Sequence, residues 1–90
     1  METIYKYKLE VTDDQTIEMP NGAEMLTVQV QAGIPCLWAK VNTENPVHKY
    51  KFKTHGTGHP LDKDFNGLYI GTYQLYNGTL VFHVWQIFDL

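Results

Sequence analysis

The chain has no serine, no arginine and a single cysteine, Cys36, among its 90 residues. The missing serine excludes a serine nucleophile, and the missing arginine excludes the bidentate guanidinium contacts that often recognise phosphate. One cysteine cannot form a disulfide within the chain. There is no apolar run long enough for a membrane-spanning helix, and the N-terminal residues lack the basic and apolar regions of a signal peptide. We therefore expect a cytoplasmic protein without a membrane anchor.

The composition narrows the class of protein further. A net charge of −3 argues against broad nucleic-acid binding, because such binding usually needs a basic face. Hydrophobic residues make up 43% of the chain and aromatic residues 13%, which is enough to build a core. A chain of this length forms one domain, so residues 1–90 are expected to fold as a single unit.

Apolar and polar residues alternate with a period of two along most of the chain, which is typical of β-strands. Pro20-Asn21-Gly22, Ala32-Gly33 and Asn77-Gly78 interrupt the alternation as turn signals. Only Ala23–Leu26 is compatible with a helical turn. The pattern predicts an all-β fold of six to seven strands, either a small antiparallel β-sandwich or a partly open barrel.

The last predicted strand is apolar on both of its faces. One face carries Leu80, Phe82 and Val84, and the other carries Val81, His83, Trp85 and Ile87. Such a strand is either central between two layers or covered by a partner. Because a domain of this size has few layers, we expect the protein to form a homo-oligomer, at least a dimer.

The stretch from His55 to Pro60 is the principal candidate for a ligand site. Its two glycines allow a sharp turn, so the amides of Gly56, Thr57 and Gly58 are able to cradle an anion. The Thr57 hydroxyl is a further donor, and His55 and His59 add charge when they are protonated. The loop therefore predicts a site for an anionic small molecule or a nucleotide.

Lysines on the preceding strand extend this candidate site. Lys49, Lys51 and Lys53 share one face of the strand that leads into the loop, and lysine binds phosphate as a point charge. Lysines in such a row are also common as a solvated surface that protects an edge strand from aggregation. Trp38 and Tyr76 are the aromatic residues best placed for exposed stacking or for an interface, and Trp38 is included in the predicted ligand site.

Metal binding and catalysis are the alternatives. His55, His59, Asp62 and Asp64 are residue types that bind zinc, but the glycines and Pro60 prevent the helix that a His-x3-His pair usually needs. Cys36 lies in a predicted strand, where a lone cysteine is more often a small buried residue, and His83 is expected to be hydrogen-bonded within a sheet. We therefore predict no metal, no cofactor and no enzymatic activity.

Short motifs spread over nearly the whole chain form a recognisable frame, made of Ile4–Tyr7, Gln15–Ile17, Met19–Ala23, Val28–Gln31, Leu37–Ala39, Gly56–Pro60, Tyr69–Thr72 and Val81–Val84. This frame resembles a family of small uncharacterised proteins of bacteriophages and prophages. The Gly-Thr-Gly-His-Pro element at Gly56–Pro60 is its most specific part. The resemblance implies an accessory phage protein that acts by binding in the host cytoplasm.

Two binding functions remain open under this resemblance. One is an anti-defence protein that sequesters an anionic or nucleotide ligand at the loop. The other is a protein-interaction module that inhibits or bridges a host or phage protein, such as a host defence protein, through its aromatic faces and sheet edges.

Overall fold

The computed structural model describes residues 1–88, and these residues form an all-β domain of two antiparallel sheets. The strands are β1 (Glu2–Lys8), β2 (Asp14–Pro20), β3 (Glu24–Gln31), β4 (Ile34–Asn42), β5 (Val47–Gly56), β6 (Gly67–Leu75) and β7 (Leu80–Ile87). One sheet has the order β1-β4-β3, and the other has the order β2-β5-β7-β6. The two sheets do not close into a barrel, so the fold is a small β-sandwich, as the alternation predicts.

The core lies between the two sheets and is built from the alternating inward positions of their strands. Leu37 and Ala39 of β4 are completely buried, as is Val84 of β7, and Phe52 of β5 is 1% exposed. Phe52 stands between the outward residues Lys51 and Lys53, and Ala39 is followed by the exposed Lys40, which produces the period-two pattern of the sequence. The remaining buried apolar residues of the core are Leu9, Met19, Val28, Val41 and Tyr73.

The sandwich is tightest where β6 approaches β3. A Cβ added at Gly71 would lie 3.2 Å from the Cβ of Val28 and 3.3 Å from its backbone nitrogen. A glycine at this position therefore allows the two sheets to meet closely. β1 and β2 are the edge strands at the other ends of the two sheets.

Three local predictions differ from the structure. Ala23–Leu26 forms no helical turn, because β3 begins at Glu24 and pairs there with β4. The alternation of Tyr5, Tyr7, Leu9 and Val11 predicts a first strand that extends to Val11, but the strand ends at Lys8 and Val11 is 52% exposed. The Asn77-Gly78 hairpin is present, but its loop has four residues, since the paired strands end at Leu75 and Leu80.

The two-sided apolar strand is explained within one chain. β7 lies between β5 and β6, and its Phe82, Val84 and Gln86 face the opposite sheet. On its other face, the ring of Trp85 packs edge-on against Phe65, which belongs to the loop between β5 and β6. The pattern of β7 therefore marks a central strand, and it no longer requires a second copy to cover it.

Candidate functional site

The predicted loop lies against the outer face of the four-stranded sheet, the face directed away from the core. His55 of β5 pairs with His83 of β7, and His83 in turn pairs with Thr72 of β6. Two residues along β5 and β7, on the same face of the sheet, Lys53 pairs with Trp85, and Trp85 pairs with Tyr69. Side chains from three strands therefore meet beside the loop.

The Gly-Thr-Gly-His segment forms a tight turn that continues the pairing of β5 with β7. The amide of Thr57 donates to the carbonyl of Val81 (3.1 Å), and the amide of His59 donates to the carbonyl of Gly56 (3.1 Å). Gly58 has a φ of +86°, which is the conformation that the third residue of a type II turn requires. Because the amide of Thr57 already has a partner, the turn does not form the three-amide cradle that was predicted from Gly56, Thr57 and Gly58. The polar groups of the site are instead supplied by the side chains around the turn.

A chain of hydrogen bonds connects this turn to the outer face of β6 and β7. Thr57 Oγ1 lies 2.7 Å from Nε2 of His83, and Thr72 Oγ1 lies 2.9 Å from Nδ1 of the same ring. The hydroxyl of Tyr69 is hydrogen-bonded to Thr72. Both ring nitrogens of His83 thus have hydroxyl partners, which confirms the prediction of a hydrogen-bonded histidine within the sheet.

Aromatic rings cover one side of this hydrogen-bond chain. Phe65 packs edge-on against His55 at 5.0 Å and against Trp85 at 5.1 Å between ring centroids. Tyr69 contacts the other side of Trp85 at 5.3 Å. Edge-to-face pairs at such distances are favourable beyond the area that they bury. They fix the Trp85 and His55 rings next to the turn.

A depression of about 190 Å³, which we name the loop pocket, lies between the turn and the outer face of the sheet. It is lined by His55, Gly56, Thr57, Gly58, His59, Leu61, His83 and Trp85. None of the described residues that line it carries a carboxylate. Two of the lining residues carry buried polar atoms without a hydrogen-bond partner among the described residues, namely Nδ1 of His55 and Nε1 of Trp85. An unpartnered buried polar atom costs free energy, so a group that supplies the missing hydrogen bond is expected to be stabilised there.

A second depression, of about 260 Å³, lies on the other side of His55 and His59. It is lined by Asp13, Asp14, Lys53, Thr54, His55, His59, Pro60 and Asp62. Three carboxylates face one lysine there, and Lys53 Nζ forms an ion pair with Asp14 at 3.3 Å. This acidic surface is unfavourable for an anion, so the two depressions have opposite chemical preferences.

The predicted lysine row reaches the loop only at Lys53. Lys49 lies opposite Glu18 of β2 in the register of the sheet, and Lys51 lies opposite Thr16. Both precede Lys53 in β5 and border a separate depression near the end of β7. The acidic residues of β2 therefore balance much of the charge that the sequence placed on this face.

Trp38 lies far from the loop in the architecture of the sandwich. It belongs to β4, where its neighbours Leu37 and Ala39 face the core, so its own side chain lies on the outer face of the three-stranded sheet. It is half-buried there, between Lys6 and Thr27 in the sheet register. The structure therefore does not place Trp38 with the other predicted site residues.

Among residues 1–88, no three His, Cys, Asp or Glu side chains are placed to hold one metal ion. The ring of His59 instead packs over Gly56, where an added Cβ would lie 2.9 Å from two of its atoms. The same described region contains no helix long and apolar enough to cross a membrane.

Sequence reasoning did not connect five residues to the site, namely Phe65, Tyr69, Thr72, His83 and Trp85. The aromatic residues and His83 were visible as members of alternating strands, but alternation does not tell which strands are neighbours. A bulge between Tyr69 and Gly71 also shifts the register of β6 by one residue. Thr72 lies opposite His83 because of that shift, and no turn signal indicated it.

The chain belongs to a family that is described as a domain of unknown function, DUF7352, whose model matches residues 1–88. No curated protein and no solved structure shows significant similarity to the chain.

Proposed function

We propose that the protein is a non-enzymatic binding protein that takes up the anionic group of a small molecule, such as the phosphate of a nucleotide, in the loop pocket. The observation that carries this proposal is the unpartnered indole N–H of Trp85, a buried atom that a ligand oxygen reaches only when the ring turns toward the pocket. An indole nitrogen only donates hydrogen bonds, so the group that satisfies it must be an acceptor. Phosphate and carboxylate oxygens are the strongest acceptors available.

The other polar groups of the pocket suit the same ligand. The hydroxyl of Thr57 and the rings of His55 and His59 are able to donate, and none of the described lining residues carries a carboxylate that would repel an anion. The neighbouring acidic depression, in contrast, disfavours anions that approach from the side of Asp14 and Asp62. This difference in charge supports binding at one side of the loop only.

The size of the pocket indicates how much of the ligand it encloses. Pockets for drug-sized molecules usually measure about 300–1,000 Å³, whereas the loop pocket measures about 190 Å³. It has room for a phosphate or a carboxylate, while the remainder of a nucleotide would lie outside. Tyr69 is 50% exposed beside Trp85 and offers an aromatic surface for a base.

The biological setting follows from the resemblance described above and forms part of the proposal. In this setting the protein would act in the host cytoplasm and remove a signalling nucleotide by binding it. Such a role needs a rigid binding site and no catalytic residues. The hydrogen-bonded, aromatic-covered outer face of the sheet is consistent with this role. Lys53 lines the neighbouring acidic depression, where it is paired with Asp14, and the proposed contribution of Lys49 and Lys51 is a longer-range attraction that salt would screen.

Titration calorimetry of the purified protein tests the proposal. The probes are inorganic phosphate, mononucleotides and cyclic dinucleotides, measured with the wild type, with Trp85→Phe and with the control Trp38→Phe. Loss of a hydrogen bond to a charged group weakens binding by about tenfold or more. We expect this loss in Trp85→Phe and unchanged binding in Trp38→Phe. Absence of heat with every probe at millimolar concentration would overturn the proposal and favour a protein partner.

A further inference from the structure

The outer edge of β1 pairs with no other strand of residues 1–88, and β1 has a self-complementary sequence. β1 is the terminal strand of the order β1-β4-β3, and its seven residues run Glu-Thr-Ile-Tyr-Lys-Tyr-Lys. Ile4 is 57% exposed and Tyr5 is 42% exposed, which is unusual for central residues of a strand. An edge of this kind is a template for pairing with another strand.

The hydrogen bonds at the two ends of β1 establish which backbone groups face outward. The amide of Thr43 donates to the carbonyl of Met1 (2.9 Å), and the amide of Leu9 donates to the carbonyl of Pro35 (2.9 Å). Because alternate residues of an antiparallel strand exchange bonds with the same neighbour, the odd-numbered residues of β1 bond to β4. The N–H and C=O groups that point away from the sheet belong to Glu2, Ile4, Lys6 and Lys8.

From this geometry we propose that the protein forms a symmetric dimer in which β1 pairs antiparallel with β1 of a second copy, with the two-fold axis at Tyr5. In this register Glu2 lies opposite Lys8 of the second copy, and Ile4 lies opposite Lys6 of the second copy. All four of these residues have outward backbone groups, so each pair exchanges two N–H···O=C bonds. The three-stranded sheets of the two copies join into one continuous sheet.

Side-chain chemistry selects this register over its neighbours. The pairing of Glu2 with Lys8 is attractive, and cross-strand pairs of opposite charge stabilise a sheet. A shift by two residues in one direction places Lys6 opposite Lys6 of the second copy. A shift in the other direction pairs Glu2 with Lys6 but leaves Lys8 with no residue opposite. A shift by one residue sets outward backbone groups against groups already bonded to β4, so no ladder forms.

The other sheet edge lacks this self-complementarity. Thr54 N–H donates to the carbonyl of Asp13, and Asn21 N–H donates to the carbonyl of Pro46, so the even-numbered residues of β2 point outward. These include Pro20, which has no N–H to donate, together with Asp14 and Glu18, which would repel their counterparts. The terminal strands at the other ends of the two sheets, β3 and β6, approach each other at Val28 and Gly71. Of β1 and β2, only β1 is suited to a second copy. A shallow concavity of about 430 Å³ that is lined by Glu2, Thr3, Ile4 and Lys40 borders this edge.

Sedimentation equilibrium with charge-swapped variants tests the dimer and its register. The wild type is expected to have about twice the 10.4 kDa mass of one chain at micromolar concentration. Glu2→Lys alone and Lys8→Glu alone each set like charges opposite one another twice per dimer, so the dissociation constant should rise about tenfold. The double variant Glu2→Lys with Lys8→Glu restores both attractive pairs, and it should restore the wild-type constant.

A proline pair tests the backbone contacts independently of charge. Ile4→Pro removes an outward N–H of β1, and Thr16→Pro removes an outward N–H of β2, so circular dichroism should show folded sheets in both. Only Ile4→Pro should make the protein monomeric. A wild type that sediments as a monomer, a double charge swap that fails to restore the dimer, or a folded Ile4→Pro variant that remains dimeric would overturn the proposal.

Discussion

The hydroxyl of Thr57 lies 2.7 Å from Nε2 of His83, although the two residues are 26 positions apart in the chain. This contact connects the glycine turn to the central strand of the sheet and continues through Nδ1 of His83 to Thr72. A hydroxyl is able to donate to only one acceptor at a time. The direction of the hydrogen bonds from Thr57 through His83 to Thr72 therefore depends on which group the Thr57 hydroxyl contacts in the loop pocket.

We expect phosphate to select one tautomer of His83. If Thr57 donates to a bound anion, His83 must donate from Nε2 and accept at Nδ1 from Thr72. Nitrogen-15 NMR of the imidazole should then show the Nε2–H form at saturating phosphate. Thr57→Val should remove the dependence on phosphate, whereas Thr27→Val, in β3 of the three-stranded sheet, should leave it unchanged. A ring that binds phosphate as the Nδ1–H form would contradict this assignment.

Gly58 should be required for its backbone conformation alone. Its φ is +86°, and an added Cβ would meet nothing within 4 Å. An L-alanine in this left-handed conformation costs about 1–2 kcal/mol. Gly58→Ala should therefore lower the free energy of unfolding by about that amount, measured by urea denaturation. A D-alanine introduced at position 58 by chemical synthesis prefers positive φ and should retain wild-type stability. Equal losses for both alanines would point to a steric cause.

Tyr73 and Tyr50 should respond oppositely to loss of their hydroxyls. Tyr73 is 2% exposed, and its hydroxyl is buried without a partner among the described residues. The Tyr50 hydroxyl accepts from the amides of Gly22 (2.9 Å) and Ala23 (3.1 Å). An unpartnered buried hydroxyl costs about 1–3 kcal/mol, whereas a hydrogen bond contributes about 1 kcal/mol.

Thermal unfolding of the two phenylalanine variants checks this contrast. Tyr73→Phe should raise the melting temperature, and Tyr50→Phe should lower it by releasing the turn between β2 and β3. A destabilised Tyr73→Phe would mean that the hydroxyl has a partner in solution, such as a buried water.

Stability should decline at alkaline pH because of two tyrosines. Burial raises the pKa of Tyr73 above its usual value of 10.0. Burial, followed by the nearby Tyr5, does the same to the pKa of Tyr7. The folded protein therefore keeps these phenols protonated where the unfolded chain releases the protons. This contribution is complete below pH 10 and is lost as the pH rises through the folded values.

Denaturation in urea at a series of pH values around 10 measures this effect. The wild type should lose stability steadily, and Tyr73→Phe should lose less over the same interval. Tyr76→Phe serves as the control, because Tyr76 is 75% exposed. A Tyr73→Phe profile as steep as that of the wild type would contradict the assignment to Tyr73.

The sequence allowed most of the fold to be predicted, because local rules govern its elements. Apolar alternation identified the strands, and Gly22 and Gly33 have the positive φ that their turns require. The site was harder to predict than the fold, since it depends on which strands are neighbours in the sheet. His83 meets Thr57 only because β7 pairs with β5, and this non-local pairing has no signal in the alternation.

Charge in the site was also not predictable from one strand. Lys53 belongs to an apparent basic row, but Asp14 lies opposite it and neutralises it. Trp38 has the pattern of an exposed aromatic, yet it lies on the outer face of the other sheet. In both examples a partner strand determines what the residue can do, and the sequence alone does not specify that strand.

The most direct test of the anion site follows the two indole N–H groups of the protein by proton–nitrogen NMR during a titration with inorganic phosphate. Trp85 lines the loop pocket, and Trp38 provides an internal control on the opposite side of the sandwich. We predict that the Trp85 indole resonance moves downfield and saturates, because its N–H gains a charged acceptor, while the Trp38 resonance stays in place. A Trp85 resonance that does not move at millimolar phosphate, or one that moves together with that of Trp38, would contradict the proposed site.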